Sequence, residues 1–270
     1  MLAAIAFSSA AHAASLLDLS SLDYVIMSSN GRDTLGHGRY LIDRQKDAIV
    51  LRGESRYLTG EYDIEIATLS PGFPGALPTL EKFDHLFYSA GGAVTRESHA
   101  NLTTALATCV EHGPDGPVVQ SQTLDFPSDT WAGASVLIPI QQFLSGGGAG
   151  DLDLHVFNCT SKPSIYAVSV SVASQPSGWP YSAAGAVQVD VRPHFGWFDV
   201  FIAPFVPKLH AWFDPGDGWG FEGVAISRYY KGPQILIVRS DRQGGGSMHA
   251  RANVPAAQPS ESARATQPNP

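Results

Sequence analysis

Three carboxylates alternate along one short run of this sequence. In "GEYDIEIATL", Glu61, Asp63 and Glu65 share one side of an extended strand, and Tyr62, Ile64 and Ile66 share the other. Carboxylates at that spacing can serve acid/base chemistry, because crowding moves their proton affinities apart, or can hold a cation. A half-buried antiparallel strand writes the same pattern when its polar side meets water, and that solvated face is the expectation here. A second candidate cluster lies in "FDHLFYSAGGAVTRESHA". Gly91-Gly92 marks a two-residue hairpin turn. It pairs Ala90 with Ala93, Tyr88 with Thr95, Phe87 with Arg96, His85 with Ser98 and Asp84 with His99. His85 and His99 then occupy opposite faces and cannot chelate one ion, while Asp84 and His99 form a surface pair. Asp214, Asp217 and Glu222 in "FDPGDGWGFEG" loosely resemble a calcium loop, but their spacing misses the EF-hand pattern and suits ordinary turn chemistry. No Walker loop, HExxH or G-x-S-x-G is present; Gly133-Ala134-Ser135-Val136-Leu137 lacks the second glycine. "GGGAGD" has no lysine and reads as a connection or helix stop. These residues assign no catalytic group, no metal and no cofactor.

The elements that must position such residues are strands. "YVIMSS", "LGHGRYLIDR", "AIVLRGESRY", "DLDLHVFNC", "SIYAVSVSVAS", "AVQVDVRPHF", "WFDVFIAPF", "KLHAWFD", "GVAISRYY" and "QILIVRS" join the runs above, with Gly, Pro, Asn and Asp between them. The pattern predicts a mainly β fold of roughly a dozen strands: a large antiparallel curved sheet, barrel or sandwich, in one domain over residues 14–242. One stretch differs. From Thr130 to Gly150 there is no charged residue, and Gly133, Val136, Leu137, Ile140 and Leu144 fall on one helical stripe. Trp131 and Ile138 fall on the other side. A buried helix over about 130–144 is expected, capped by Ser128 or Asp129, kinked at Pro139 and stopped at Gly146. It is too short and too polar for a membrane span.

Composition bounds the setting. The 270 residues carry a net charge of −8 with no Lys/Arg cluster, which argues against a nucleic-acid partner. Residues 1–13 end in Ala11-His12-Ala13 and read as a signal peptide; the missing basic residue leaves room for an upstream start, and a buried strand is the alternative. In an exported chain, Cys109 and Cys159 are expected to form one disulfide, worth roughly 4 kcal/mol by the chain-entropy model. Residues 243–270, rich in Gly, Ala, Pro and Ser, read as a disordered tail.

Aromatic residues crowd the last third, with apolar side chains on both faces of "WFDVFIAPF" and "KLHAWFD". Core packing accounts for one face. The other needs a second layer, a partner or a cavity, and Trp131, Trp197, Phe201, Trp212 and Trp219 are the candidate lining of an aromatic pocket for an apolar or amphipathic molecule. "YVIMSSNGRDTLGHGRYLI", "FPSDTWAGASVLIPIQ" and "AWFDPGDG" followed by "GVAISRYYKGPQILIVR" resemble, over most of residues 20–240, the bacterial periplasmic β-rich proteins grouped as a domain family of unknown function. That resemblance implies a curved or barrel-like antiparallel sheet, an envelope location and a noncatalytic role, and supplies no functional residues. The chain departs from such proteins in its uncharged helix and long polar tail. Three readings follow: a periplasmic protein binding or carrying a lipid or other amphiphile, a structural or assembly factor of the cell envelope, and a hydrolase whose site is not visible in sequence.

Overall fold

In the computed structural model, residues 16–72, 76–160, 162–174, 185–194, 209–228 and 232–243 are described. Eight strands come first: β1 (Ser21–Ser28), β2 (Thr34–Arg44), β3 (Ile49–Tyr57), β4 (Tyr62–Ser70), β5 (Thr79–Tyr88), β6 (Val94–Asn101), β7 (Leu106–Gly113) and β8 (Gly116–Thr123). A short strand, β9 (Thr130–Trp131), leads into a 3-10 turn at Gly133–Val136 and helix α1 (Leu137–Ser145). Then follow β10 (Asp151–Cys159), β11 (Pro163–Val172), β12 (Val187–Pro193), β13 (Leu209–Asp214), β14 (Gly220–Ser227) and β15 (Gln234–Arg239).

All fifteen strands belong to one sheet, ordered β8-β7-β6-β5-β4-β3-β2-β1-β15-β14-β13-β12-β11-β10-β9. Among the described residues every pairing is antiparallel except β9 with β10, where Thr130 and Trp131 run parallel to His155 and Val156. The expected mainly β, curved antiparallel sheet with a buried helix is what the described residues form, with a further four-residue helix at Ser240–Gln243 after the last strand. The ladder does not close on itself; β8 and β9 remain its two ends. The sheet curls instead until its ends meet side to side. Cys109 on β7 and Cys159 on β10 stand at bonding distance with Cα atoms 5.8 Å apart. Beside them Gln122 of β8 donates to the Pro163 carbonyl of β11, and the Phe83 and Phe157 rings meet edge to face at 6.2 Å.

Helix α1 plugs the curl. Leu137, Ile138, Ile140 and Leu144 are buried in the main core with Leu51, Leu69, Leu154 and Val170. Its buried polar residue is satisfied: the Gln141 side chain accepts from the Leu16 N–H at 2.6 Å and donates to the Trp219 carbonyl at 2.9 Å. The helical stretch differs from the sequence expectation at its start. Residues 130 and 131 are strand, and Gly133, with φ of 52°, turns the chain into the 3-10 segment. Pro139 causes no mid-helix kink, because it sits in the first turn of α1, where its missing N–H needs no partner. Ser135 closes the entry, accepting from the Ala132 N–H and donating to its carbonyl, while Asp129 bonds His155.

The β5–β6 hairpin also departs from expectation. Ser89 N–H bonds the Ala93 carbonyl and Gly92 takes φ of 81°, so the loop has three residues, not two. Tyr88 therefore pairs with Val94 rather than Thr95, and a bulge between Phe87 and Tyr88 restores the predicted partners Phe87–Arg96, His85–Ser98 and Asp84–His99.

Candidate functional site

Strand β4 is turned the other way from its sequence reading. Asp63 and Glu65 are each 7% exposed and face the interior with Ala67 and Leu69, while Tyr62, Ile64 and Ile66 lie outward. Glu61 stays outside the strand and pairs with Arg228 at 2.7 Å. The solvated carboxylate face is thus corrected: two of the three carboxylates line the inside of the sheet. What reverses the strand is a set of partners far away in sequence.

Glycines create the room. Tyr40 of β2 lies opposite Gly53 of β3, which lies opposite Glu65. A Cβ at Gly53 would stand 2.3 Å from the Tyr40 ring, so only glycine lets that ring lie flat and bring its hydroxyl 3.4 Å from Glu65 Oε1. The same device repeats one strand back, where a Cβ at Gly38 would meet the Tyr24 ring at 2.2 Å. The Tyr24 and Tyr40 ring centroids are 5.5 Å apart. From the other side comes the helical plug: the Ala134 N–H donates to Glu65 Oε1 at 2.8 Å, and a Cβ at Gly133 would collide with the carboxylate. Glu65 thereby serves as a cap supplied by the sheet to a helical segment that lacks one of its own.

Asp63, two residues before Glu65, accepts from Ser55 Oγ at 3.0 Å and bonds His85 Nε2 at 3.3 Å; the Tyr24 hydroxyl meets Ser55 Oγ at 3.0 Å. His85 rests against Phe87, ring centroids 4.1 Å apart. Burial raises the Glu65 carboxyl above the usual carboxylate range, with His85 and the Ala134 N–H acting against it. Burial alone would lower the His85 imidazolium, but the Asp63 hydrogen bond and the charges of Glu65 and Asp63 outweigh it and leave its pKa raised. Burial also raises Tyr24, Tyr40 and Tyr57, so these phenols stay protonated as donors. The cluster can share and store protons. It is not a nucleophile triad, because the imidazole bonds the carboxylate rather than the serine hydroxyl. Among the described residues, no three His, Cys, Asp or Glu side chains gather as metal ligands.

Other polar groups lie on the outer face. Asp84, His99, Glu97 and His112 form a chain with contacts of 2.7, 3.0 and 2.7 Å, and the Asp84–His99 pair is the one expected from the hairpin. Asp214 closes its own turn by accepting from the Gly216 N–H, and Asp217 takes Arg239 at 2.7 Å, so both act as turn and ion-pair residues.

Among the described residues, the aromatic candidates fall into two separate clusters. Trp131 is 4% exposed in the main core, and Trp212, equally buried, belongs to a second cluster on the other face with Val25, Met27, Leu236 and Val238. Trp219 is partly buried at φ of 64°, packed against the main core. Trp197 and Phe201 lie outside the described residues. An apolar groove of about 340 Å³ does exist, on the flank of α1. Leu77, Pro139, Phe143 and Leu152 line it, Gln142 is its polar edge, and Gly146 and Gly148 form a wall. Its glycine loop, read from sequence as a connection, holds Gly147, Gly148 and Gly150 at φ of 102°, 60° and 77°. No sequence signal pointed to this groove, because Leu77 comes from a loop sixty residues before the helix and the turn of the glycine loop decides that Leu152 folds back beside it.

Among the described residues no helix is long and apolar enough to cross a membrane. No family model matches the chain, and no curated protein is similar to it. Among solved structures it is similar to the crystal structure of a beta-barrel-like protein of domain of unknown function DUF1849 from Brucella abortus, with 10% identity, a TM-score of 0.45, and coverage of 81% of this chain and 94% of that one. Such a likeness carries neither residues nor an activity across.

Proposed function

We propose that this chain is a noncatalytic, exported protein of the bacterial periplasm that binds a single-chain amphiphile along the flank of α1. The observation that carries the reading is the groove itself: about 340 Å³, lined by Leu77, Pro139, Phe143 and Leu152, without a charged wall residue. That size is in the range of small-molecule sites, and such sites pair an apolar lining with a few polar groups. An acyl tail lies against Phe143 and Leu152, and its polar head reaches the Gln142 amide. Gly147, Gly148 and Gly150 hold φ values that other residues resist, which lets the loop turn tightly along the groove. Trp131, buried in the main core, stiffens the interior behind this site rather than lining it. A disulfide between β7 and β10 suits an oxidising compartment such as the periplasm.

The test is thermal unfolding with a lysophospholipid below its micelle concentration, for the wild type and for Phe143→Asp. The expected result is a concentration-dependent rise in Tm for the wild type that Phe143→Asp abolishes. An unchanged wild-type Tm across the titration ends this reading.

A further inference from the structure

The two ends of the sheet leave one long strand edge open, and its chemistry is unusual. Among the described residues β8 pairs only with β7, and seven of its eight residues are exposed, Val118 by 59% and Val119 by 55%. Natural edge strands are shielded by charges, by extreme shortness or by covering elements. Gly116–Thr123, "GPVVQSQT", has no charge at all. Proline is its single guard.

The register fixes which backbone groups face outward. The two-residue turn closes at Gly113–Gly116, and Leu124 N–H bonds the Ala105 carbonyl beyond the strand's far end. Between those closed pairs, alternate residues bond β7, and Pro117, Val119, Ser121 and Thr123 turn their backbone groups away from it. Pro117, which has no N–H to give, sits at an outward position as edge geometry requires.

We propose that β8 is the contact surface of a homodimer, formed by antiparallel pairing of β8 with β8 of a second copy about a two-fold axis at Gln120. In that register Val119 faces Ser121 of the second copy and exchanges both backbone bonds with it. Thr123 N–H donates to the Pro117 carbonyl of the second copy, so the missing proline donor is placed where an acceptor suffices. Two features favour a second copy over another strand. The opposite end of the sheet, Thr130–Trp131, is short and at most 4% exposed, so it offers no edge for head-to-tail growth. An isologous pair therefore closes after two copies and covers both open edges at once. In addition, an uncharged strand lets two copies of an acidic chain meet there without like charges in register. The pairing stands apart from the groove on α1 and does not depend on it.

The experiment uses the full oxidised chain. Sedimentation velocity across a wide concentration range is combined with residue-resolved hydrogen exchange, for the wild type and for Val119→Lys. The expected result is a concentration-dependent dimer in which the Val119, Ser121 and Thr123 amides become protected as the dimer fills. Val119→Lys, which adds the guard the edge lacks, weakens dimerisation by roughly tenfold or more. At low concentration its circular dichroism matches the wild type, because the position is exposed. A chain that stays monomeric at the highest concentration reached overturns the proposal. So does a dimer whose three amides exchange as fast as in the monomer, or one that Val119→Lys leaves as tight as before.

Discussion

The two ends of this sheet solve the same problem in opposite ways. At one end β9 is only two residues long, Thr130 and Trp131, and both are buried beneath the helical plug. At the other end β8 runs for eight residues in the open. The curl explains the asymmetry: the sheet rolls until β10 and β11 pass against the inner side of β7, and the disulfide and the Gln122–Pro163 bond fasten it there. The end rolled inward becomes core, and the end left outside keeps its backbone groups unspent. A sheet that closes by side chains rather than by a ladder need not treat its edges alike.

That contrast can be broken at several points. Removing the fastening should cost most. Cys109→Ser with Cys159→Ser opens a loop of 50 residues and should lower stability by about 4 kcal/mol, read as a fall in the urea midpoint. Trp131→Ala, at the buried end, should cost about 3 kcal/mol, as large-to-small core changes do. The matching change at the open end, Val119→Ala, should stay within about 0.5 kcal/mol at low protein concentration. Equal losses at the two ends would erase the distinction between core edge and free edge.

The interior cluster predicts a pH dependence with a definite sign. Glu65 and His85 both have folded pKa values above their ordinary ones. Each therefore contributes stability that is full below its unfolded value, near 4.5 for Glu65 and 6.5 for His85, and that is lost as pH rises through the folded value. The wild type should lose stability relative to Glu65→Gln as pH rises from 4.5, and relative to His85→Gln as it rises above 6.5. Parallel urea midpoints across that range for wild type and variants would remove the cluster from the fold's energetics. The smallest effect belongs to the outer face. His112→Ala, which loses the Glu97 contact, should cost less than about 1 kcal/mol and nothing at high salt. Glu97 itself is held below the usual carboxylate range by His112 and His99, so its share is present above the ordinary carboxylate value and is lost as pH falls.

Most of the described strands, their antiparallel pairing and the Cys109–Cys159 pair were legible because alternation and turn residues act locally and two cysteines leave one pairing, whereas the strand expected at "WFDVFIAPF" lies outside the described residues. The helix was legible in place but not at its entry, since Trp131 reads equally well as helix or as strand until β10 supplies a partner. Asp63 and Glu65 were misread for the reason that makes them interesting. Alternation says which residues share a face, and only Tyr40, Ser55, His85 and the Ala134 N–H, each on another element, say that this face is the inner one. The separation of Trp131 from Trp212 was equally invisible, because it depends on which side of the curl each strand shows to the core.

The strand order has a consequence for how the molecule is assembled. The chain starts in the middle of the sheet, winds outward through β8, leaps to the opposite end at β9, and winds back until β15 lies against β1, with Tyr24 opposite Arg239. Nearly every pairing can zip as soon as its second strand has been synthesised; the central seam must wait for nearly the last residues. Until then the "YVIM" edge of β1, whose side chains end buried on both faces, waits unpaired. The middle of the finished sheet is thus an open edge until β15 arrives, the interval in which its apolar side chains are most exposed.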